Sequence, residues 1–267
     1  MVAFPPCKIN LGLRILAKRT DGYHDLETCF YPVPWTDVLE VIHAPHTQFA
    51  YSGHVIPGNP SSNLCERAYQ LLQRDFAVGP VHMHLHKVLP SGAGLGGGSS
   101  DGAYMLRLLN QLFALRLTRE QLIAYAAMLG SDTPFFIGDS PMIGRGRGEI
   151  LSPANLSLTG TYVVLLKPDL HISTAEAFAG IVPNAPVTDI DTVVTDSTAT
   201  WKDRLHNDFE DSLFPQFPIL PELKKRLYDA GAYYASLSGS GSTIYGLFRQ
   251  RPALEAGPDV TKWEGQL

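Results

Sequence analysis

Residues 90 to 103, PSGAGLGGGSSDGA, place six glycines and three serines in fourteen positions. Glycines at the junction of a strand and a helix admit positive φ and bring backbone N–H groups close to a ligand, while the helix that follows adds unpaired donors and the positive end of its dipole. Such a stretch cradles an anion, phosphate above all. A flexible linker shares the composition, but linkers rarely sit between a good strand and a well-patterned helix. Gly92, Gly94 and Gly97 satisfy G-x-G-x-x-G, yet a dinucleotide site also needs an acid about twenty residues further on. That region, NQLFALRLTRE, continues as helix, so it lacks an acid at the end of a second strand, which that site requires. No Lys follows any glycine of the run, so G-x-x-x-x-G-K-[ST] is absent as well. A third kind of phosphate loop is required. Elsewhere, His82, His84 and His86 recur at a period of two, a spacing that suits a metal. No carboxylate or Cys lies nearby in sequence, so a solvated strand face is expected there and no zinc.

These residues need elements to hold them. In CKINLGLRIL, Ile9, Leu11, Leu13 and Ile15 alternate with Lys8, Asn10, Gly12 and Arg14, which predicts a strand with one core face and one polar face. Lys8 and Asn10 then point the same way. Asp21-Gly22 is a tight-turn signal, and LETCFYPVPW continues in β-rich residues until Pro32 and Pro34 limit it. Tyr23 and His24 lie at the exit of this hairpin. Asn63, with Glu66 three residues on, starts a helix carrying Leu64, Ala68, Leu71 and Leu72 on one stripe. VHMHLHKVL is a strand leading into the glycines, and Ala103, Leu106, Leu109, Asn110 and Phe113 continue them as a helix. Thr118 and Gln121 form a capping box for a helix ending near Gly130. Beyond the glycine-rich 144–148, TYVVLLKP is a buried strand and PELKKRLYDAG a short helix, so a domain boundary is placed near 150.

The chain has 267 residues, 45% hydrophobic and 18% charged, enough for two modest domains. A net charge of −5 argues against a broad basic surface for nucleic acid or anionic lipid, so an anionic ligand must be held locally. Cys7, Cys29 and Cys65 are odd in number and never in a C-x-x-C pair, which fits a reducing cytoplasm. No apolar run of eighteen residues occurs, and Pro5, Pro6 and Lys8 interrupt the start.

The glycine stretch closely resembles the loop P-x-x-x-G-L-G-S/G-S-S of the galactokinase, homoserine kinase, mevalonate kinase and phosphomevalonate kinase (GHMP) superfamily, small-molecule kinases that bind ATP without a Walker motif. KINLGLRILAKRTDGYHDLET is similar to the opening of those members that act on 4-diphosphocytidyl-2-C-methyl-D-erythritol. NL at 63, HKVLP at 86, GSDTPFF at 130, GRGE at 146, the spacing from Pro168 through Thr174 to Phe178, NDFE at 207 and LSGSGSTIYGLF at 237 extend the match along nearly the whole chain.

The resemblance implies a two-domain α+β GHMP kinase fold. Residues 1–150 would form an N-terminal ATP-binding domain like domain 2 of a small-subunit ribosomal protein, and 151–267 a ferredoxin-like C-terminal domain. It implies ATP with Mg²⁺ as co-substrate, held by Pro90, Ser91, Gly92, Ala93, Gly94, Leu95, Gly96, Gly97, Gly98, Ser99 and Ser100, with Asn63 and Lys87 near the adenine and ribose. Asp132 would accept the proton of the acceptor hydroxyl, and Lys8 would pair with that carboxylate and with the developing charge. Asn10 and Thr174 would contact the substrate, Tyr23 and Phe178 would sandwich its cytosine, and His24 would read the ring's edge. SGSGS at 238–242 would close over the site from the second domain. Taken without the resemblance, Asp132 reads as a turn residue, Lys8 and Lys87 as surface, Asn63 as a helix cap, and SGSGS as a hairpin turn. No tightly bound cofactor, resident metal, nucleic acid or membrane partner is expected, and the chain would be a monomer or weak homodimer. A mevalonate- or sugar-kinase-like activity and a non-catalytic nucleotide-binding protein remain as alternatives. Two departures stand out: Cys7 replaces a common Ala, and Gly102 replaces a common Ala inside the helix, where Gly costs up to about 1 kcal/mol.

Overall fold

The computed structural model describes residues 1–56, 62–184 and 188–267. Two compact units are assembled from separated stretches. One takes Met1–Cys7, Trp35–Ser91 and Gly96–Asp139, and the other Lys8–Pro34, Gly92–Leu95 and Ser140–Leu267.

The first unit is built on a sheet of order β1-β4-β6-β5, formed by β1 (Val2–Ala3), β4 (Val38–His43), β6 (Val81–Lys87) and β5 (Gln48–Gly53). β4 runs antiparallel to β6, and β5 runs parallel to it. Strict alternation along β6 buries Val81, Met83, Leu85 and Lys87 and turns His82, His84 and His86 to the other face. Three helices complete the unit: α1 (Leu64–Asp75), α2 (Gly97–Leu112) and α3 (Arg119–Leu129). Local sequence sets their starts. Asn63 Oδ1 accepts from Cys65 N at 2.8 Å, and Thr118 and Gln121 complete a reciprocal capping box. Gly102 lets α2 lie close to α1, because a Cβ there would stand 2.9 Å from the Leu64 Cβ. Its cost to helix propensity is offset by this approach.

The second unit holds most of β2 (Pro6–Lys18) and β3 (His24–Thr36), joined at Asp21-Gly22, where Gly22 has φ +86. These strands continue into a sheet of order β2-β3-β7-β8, with β7 at Met142–Gly146 and β8 at Ile150–Pro153. Two expectations need correction. β2 is buried on both faces from Cys7 to Leu13, with Lys8 and Asn10 only 2% and 1% exposed, so those two polar residues do not face solvent. β3 also runs through Pro32 and Pro34 to Thr36. β7 pairs only with Leu26–Phe30, so the prolines lie past its last partner, where no N–H is asked of them on that side.

A second, antiparallel sheet has the order β10-β11-β9-β12, from β9 (Tyr162–Pro168), β10 (Tyr234–Leu237), β11 (Ile244–Phe248) and β12 (Val260–Gln266). Between β9 and β10 come α4 (Thr174–Ala179), α5 (Ile190–Thr195), α6 (Trp201–Arg204), α7 (Phe209–Leu213) and α8 (Ile219–Asp229). Leu220, Leu223 and Leu227 of α8 join Val164, Leu166, Leu237 and Ile244 in one apolar core. No helix among the described residues is long and apolar enough to cross a membrane.

Candidate active site

The glycine stretch adopts the backbone that its composition suggests. Gly92, Gly94 and Gly96 have φ of +63, +75 and +70, a region other residues enter only at a cost. Gly94 lies so near the β10–β11 loop that a Cβ would overlap the Ser238 carbonyl oxygen. That loop, 238–243, is thus both the hairpin connection and a support for the glycines. Ser238 Oγ donates to Gly94 O at 2.9 Å, and Thr243 N donates to Ala93 O at 3.3 Å. After Gly96 the chain enters α2, whose first turn contains Gly97, Gly98 and Ser99 and has neither an acidic residue nor a capping side chain among the described residues. Its leading N–H groups are those an anion would satisfy. A Cβ at Gly98 would meet nothing within 4 Å, and the buried Ser100 hydroxyl has no hydrogen-bond partner among the described residues.

Lys8 is held from several sides. Its N–H donates to Leu95 O at 2.9 Å, and its Nζ donates to Gly94 O at 3.0 Å and Asn10 Oδ1 at 2.5 Å. Asn10 Nδ2 donates to Thr28 Oγ1 at 2.9 Å, and Thr28 Oγ1 donates onward to Gly12 O at 2.5 Å. The Phe30 ring lies 5.5 Å below the ammonium. The strand's two-residue period thus delivers a buried cation and an amide to one place beside the glycines. Asp132 follows Gly130, the C-cap of α3, and precedes the short 3-10 turn Thr133–Ile137, which its carboxylate does not cap.

At the far end of β2, His24 lies flat on Phe178, with centroids 4.6 Å apart and planes 16° apart, and Phe209 meets Phe178 edge-on at 4.8 Å. Tyr23 is 56% exposed and carries the Arg147 guanidinium over its ring at 4.9 Å. Tyr23 and Phe178, expected to flank one base, thus each hold a protein group against the ring, Arg147 on Tyr23 and His24 on Phe178. Thr174 is the exposed first residue of α4, behind the Ser173 cap. Asn63 spends its oxygen on capping α1. Lys87 is 5% exposed, and its Nζ donates to Asp37 and, at 2.7 Å, to Asp101. The three histidines of β6 keep to the outer face, where Ser52 Oγ meets His84 Nε2 at 2.8 Å and His86 Nδ1 at 2.9 Å. No group of three or more His, Cys, Asp or Glu among the described residues is arranged to hold a metal.

The patterns described as GHMP kinases N terminal domain and GHMP kinases C terminal match residues 63–139 and 190–261. The chain belongs to the GHMP kinase family. A 4-diphosphocytidyl-2-C-methyl-D-erythritol kinase of Bacteroides thetaiotaomicron is 49% identical over the full length of both chains. One of Cytophaga hutchinsonii is 46% identical over 94% of each. A crystal structure of 4-(cytidine 5'-diphospho)-2C-methyl-D-erythritol kinase superposes with a TM-score of 0.80 at 33% identity, covering 92% of this chain and 90% of that one. The mevalonate kinase of Methanococcus jannaschii shares the fold, with a TM-score of 0.71 at 11% identity. In this GHMP kinase the sequence reading missed Thr28, which anchors the lysine, and Arg147 over Tyr23; it gave the 238–242 loop but not the hold of Ser238 on the glycines. It also missed Asp37 and Asp101. Lys87, read from sequence alone as surface, is buried, and the signal that could have told is its place on the apolar face of Val81, Met83 and Leu85.

Proposed function

We propose that this GHMP kinase transfers the γ-phosphate of ATP to the 2-hydroxyl of 4-diphosphocytidyl-2-C-methyl-D-erythritol, a step in non-mevalonate isoprenoid precursor biosynthesis. The observation that carries the reading is the full-length 49% identity to the Bacteroides thetaiotaomicron kinase of that name. Mg-ATP is the phosphoryl donor; the Ser99 or Ser100 hydroxyl would help to hold its metal, which would offset the charge of the phosphates. The N–H groups of residues 92–98 and the start of α2 receive the phosphates. Asp132 takes the proton of the attacking hydroxyl, and Lys8 offsets the charge that develops as the phosphoryl group moves. Asn10 and Thr174 hold the polyol phosphate portion. Cytosine enters between Tyr23 and Phe178, and His24 reads its edge. The enzyme works in the cytoplasm as a monomer or weak dimer.

The test is ADP release with Mg-ATP when the cytidyl substrate, mevalonate, homoserine and galactose are offered separately. Turnover of the cytidyl compound alone is expected. Turnover of another compound alone would reassign the enzyme within the family, and ATP binding without any turnover would make it a passive binder.

A further inference from the structure

The arm of chain before the glycine loop and the helix after it are tied together by a buried charge cluster. Asp37 Oδ1 accepts from Val88 N at 2.6 Å and Leu89 N at 2.8 Å, fixing the two residues that follow Lys87. Asp37 Oδ2 and Asp101 Oδ2 both accept from Lys87 Nζ. Asp101 is the fifth residue of α2. Gly97, in the first turn of the same helix, lies over this cluster, since a Cβ there would stand 3.2 Å from Leu89 and 3.5 Å from Lys87 Nζ. Side-chain exposure is 5% for Lys87, 0% for Asp37 and 4% for Asp101. We propose that Lys87 is a positioning residue for phosphoryl transfer: through Asp37 and Asp101 it locks both ends of the glycine loop in the spacing that aims its N–H groups at the phosphates.

A buried ion cluster is a poor way to gain stability, since apolar replacements of equal volume commonly do as well. A fixed geometry is what it supplies.

This inference rests on the phosphate-binding reading of the loop, and binding of Mg-ATP and of adenosine, measured by calorimetry, separates the two. In the double variant Lys87→Met/Asp37→Asn, the amide oxygen still holds Val88 and Leu89 while the tie to α2 is gone. Its Kd for Mg-ATP is expected to rise about tenfold, roughly 1.4 kcal/mol, and that for adenosine, which offers the loop no phosphate, by less. Asp101→Asn, which keeps an acceptor for Lys87, is expected to bind Mg-ATP like the wild type, whereas Asp101→Leu, which removes that acceptor, is expected to lose affinity as the double variant does. Unchanged Mg-ATP affinity in the folded double variant overturns the proposal, as does an equal loss for adenosine. Should the double variant not fold, the Asp101 pair decides, and equal Mg-ATP affinity in Asp101→Asn and Asp101→Leu overturns the proposal. Failure of the wild type to bind Mg-ATP at all would remove the loop reading and this inference together.

Discussion

A lysine on a strand's polar face ordinarily ends in solvent, and two lysines of this chain do not. Lys8 and Lys87 are 2% and 5% exposed. The period of two placed Lys8 beside Asn10 but left Lys87 at the surface, and only the folded chain supplies the oxygens that make a buried place tolerable for either charge. The proton acceptor is tested first. Asp132→Asn keeps shape and removes basicity, so kcat should fall by about 10² to 10⁴ while the Kd for ATP stays put; a comparable loss in ATP affinity would give Asp132 a binding role instead. Tyr23 is tested through KM. Tyr23→Ala should raise KM for the cytidyl substrate about tenfold, if roughly 1.4 kcal/mol of stacking is lost, and leave KM for ATP alone. Unchanged KM would show that the ring serves only as a perch for Arg147.

Helix starts were legible because caps are local. Asn63 and the Thr118/Gln121 pair bond within a few residues of themselves, and their side chains do what the sequence asks. The reach of β3 past two prolines was not, since it depends on where β7 stops. Glycines show the same division. The loop glycines were legible as positive-φ residues, whereas Gly102 looked like a defect until α1 was seen against it. On propensity alone Gly102→Ala would stabilise α2 by roughly 0.5 to 1 kcal/mol. Contact at 2.9 Å with Leu64 outweighs that, and overpacking of this kind costs about 1 to 3 kcal/mol. The variant should therefore melt at a lower temperature, and a raised Tm would mean that the two helices part easily. Gly94→Ala is the severer change, because φ +75 and the Ser238 carbonyl both oppose a Cβ. It should abolish measurable Mg-ATP binding, and retention of wild-type affinity would detach this glycine from the phosphate site.

Across the whole molecule the −5 net charge says little about where charge matters. Lys225–Asp229 is an exposed ion pair, and such pairs contribute at most about 1 kcal/mol. The buried Asp37–Lys87–Asp101 cluster is different, and it gives the chain a pH signature of its own. Burial raises the folded-state pKa of Asp101 to about 8, whereas an unfolded aspartate titrates near about 3.9. Between those values the folded chain holds a proton that the unfolded chain has released, so this residue's contribution to stability declines as pH rises from about 4 and stops declining beyond about 8. Asparagine at 101 has no proton to lose and still offers Lys87 an oxygen. The Tm of Asp101→Asn minus that of the wild type should therefore climb steadily from pH 4.5 to pH 8 and then level off, every other titrating group being common to both chains. A difference that stays flat over that range would mean that Asp101 is ionised in the fold, with Lys87 shared between two full negative charges.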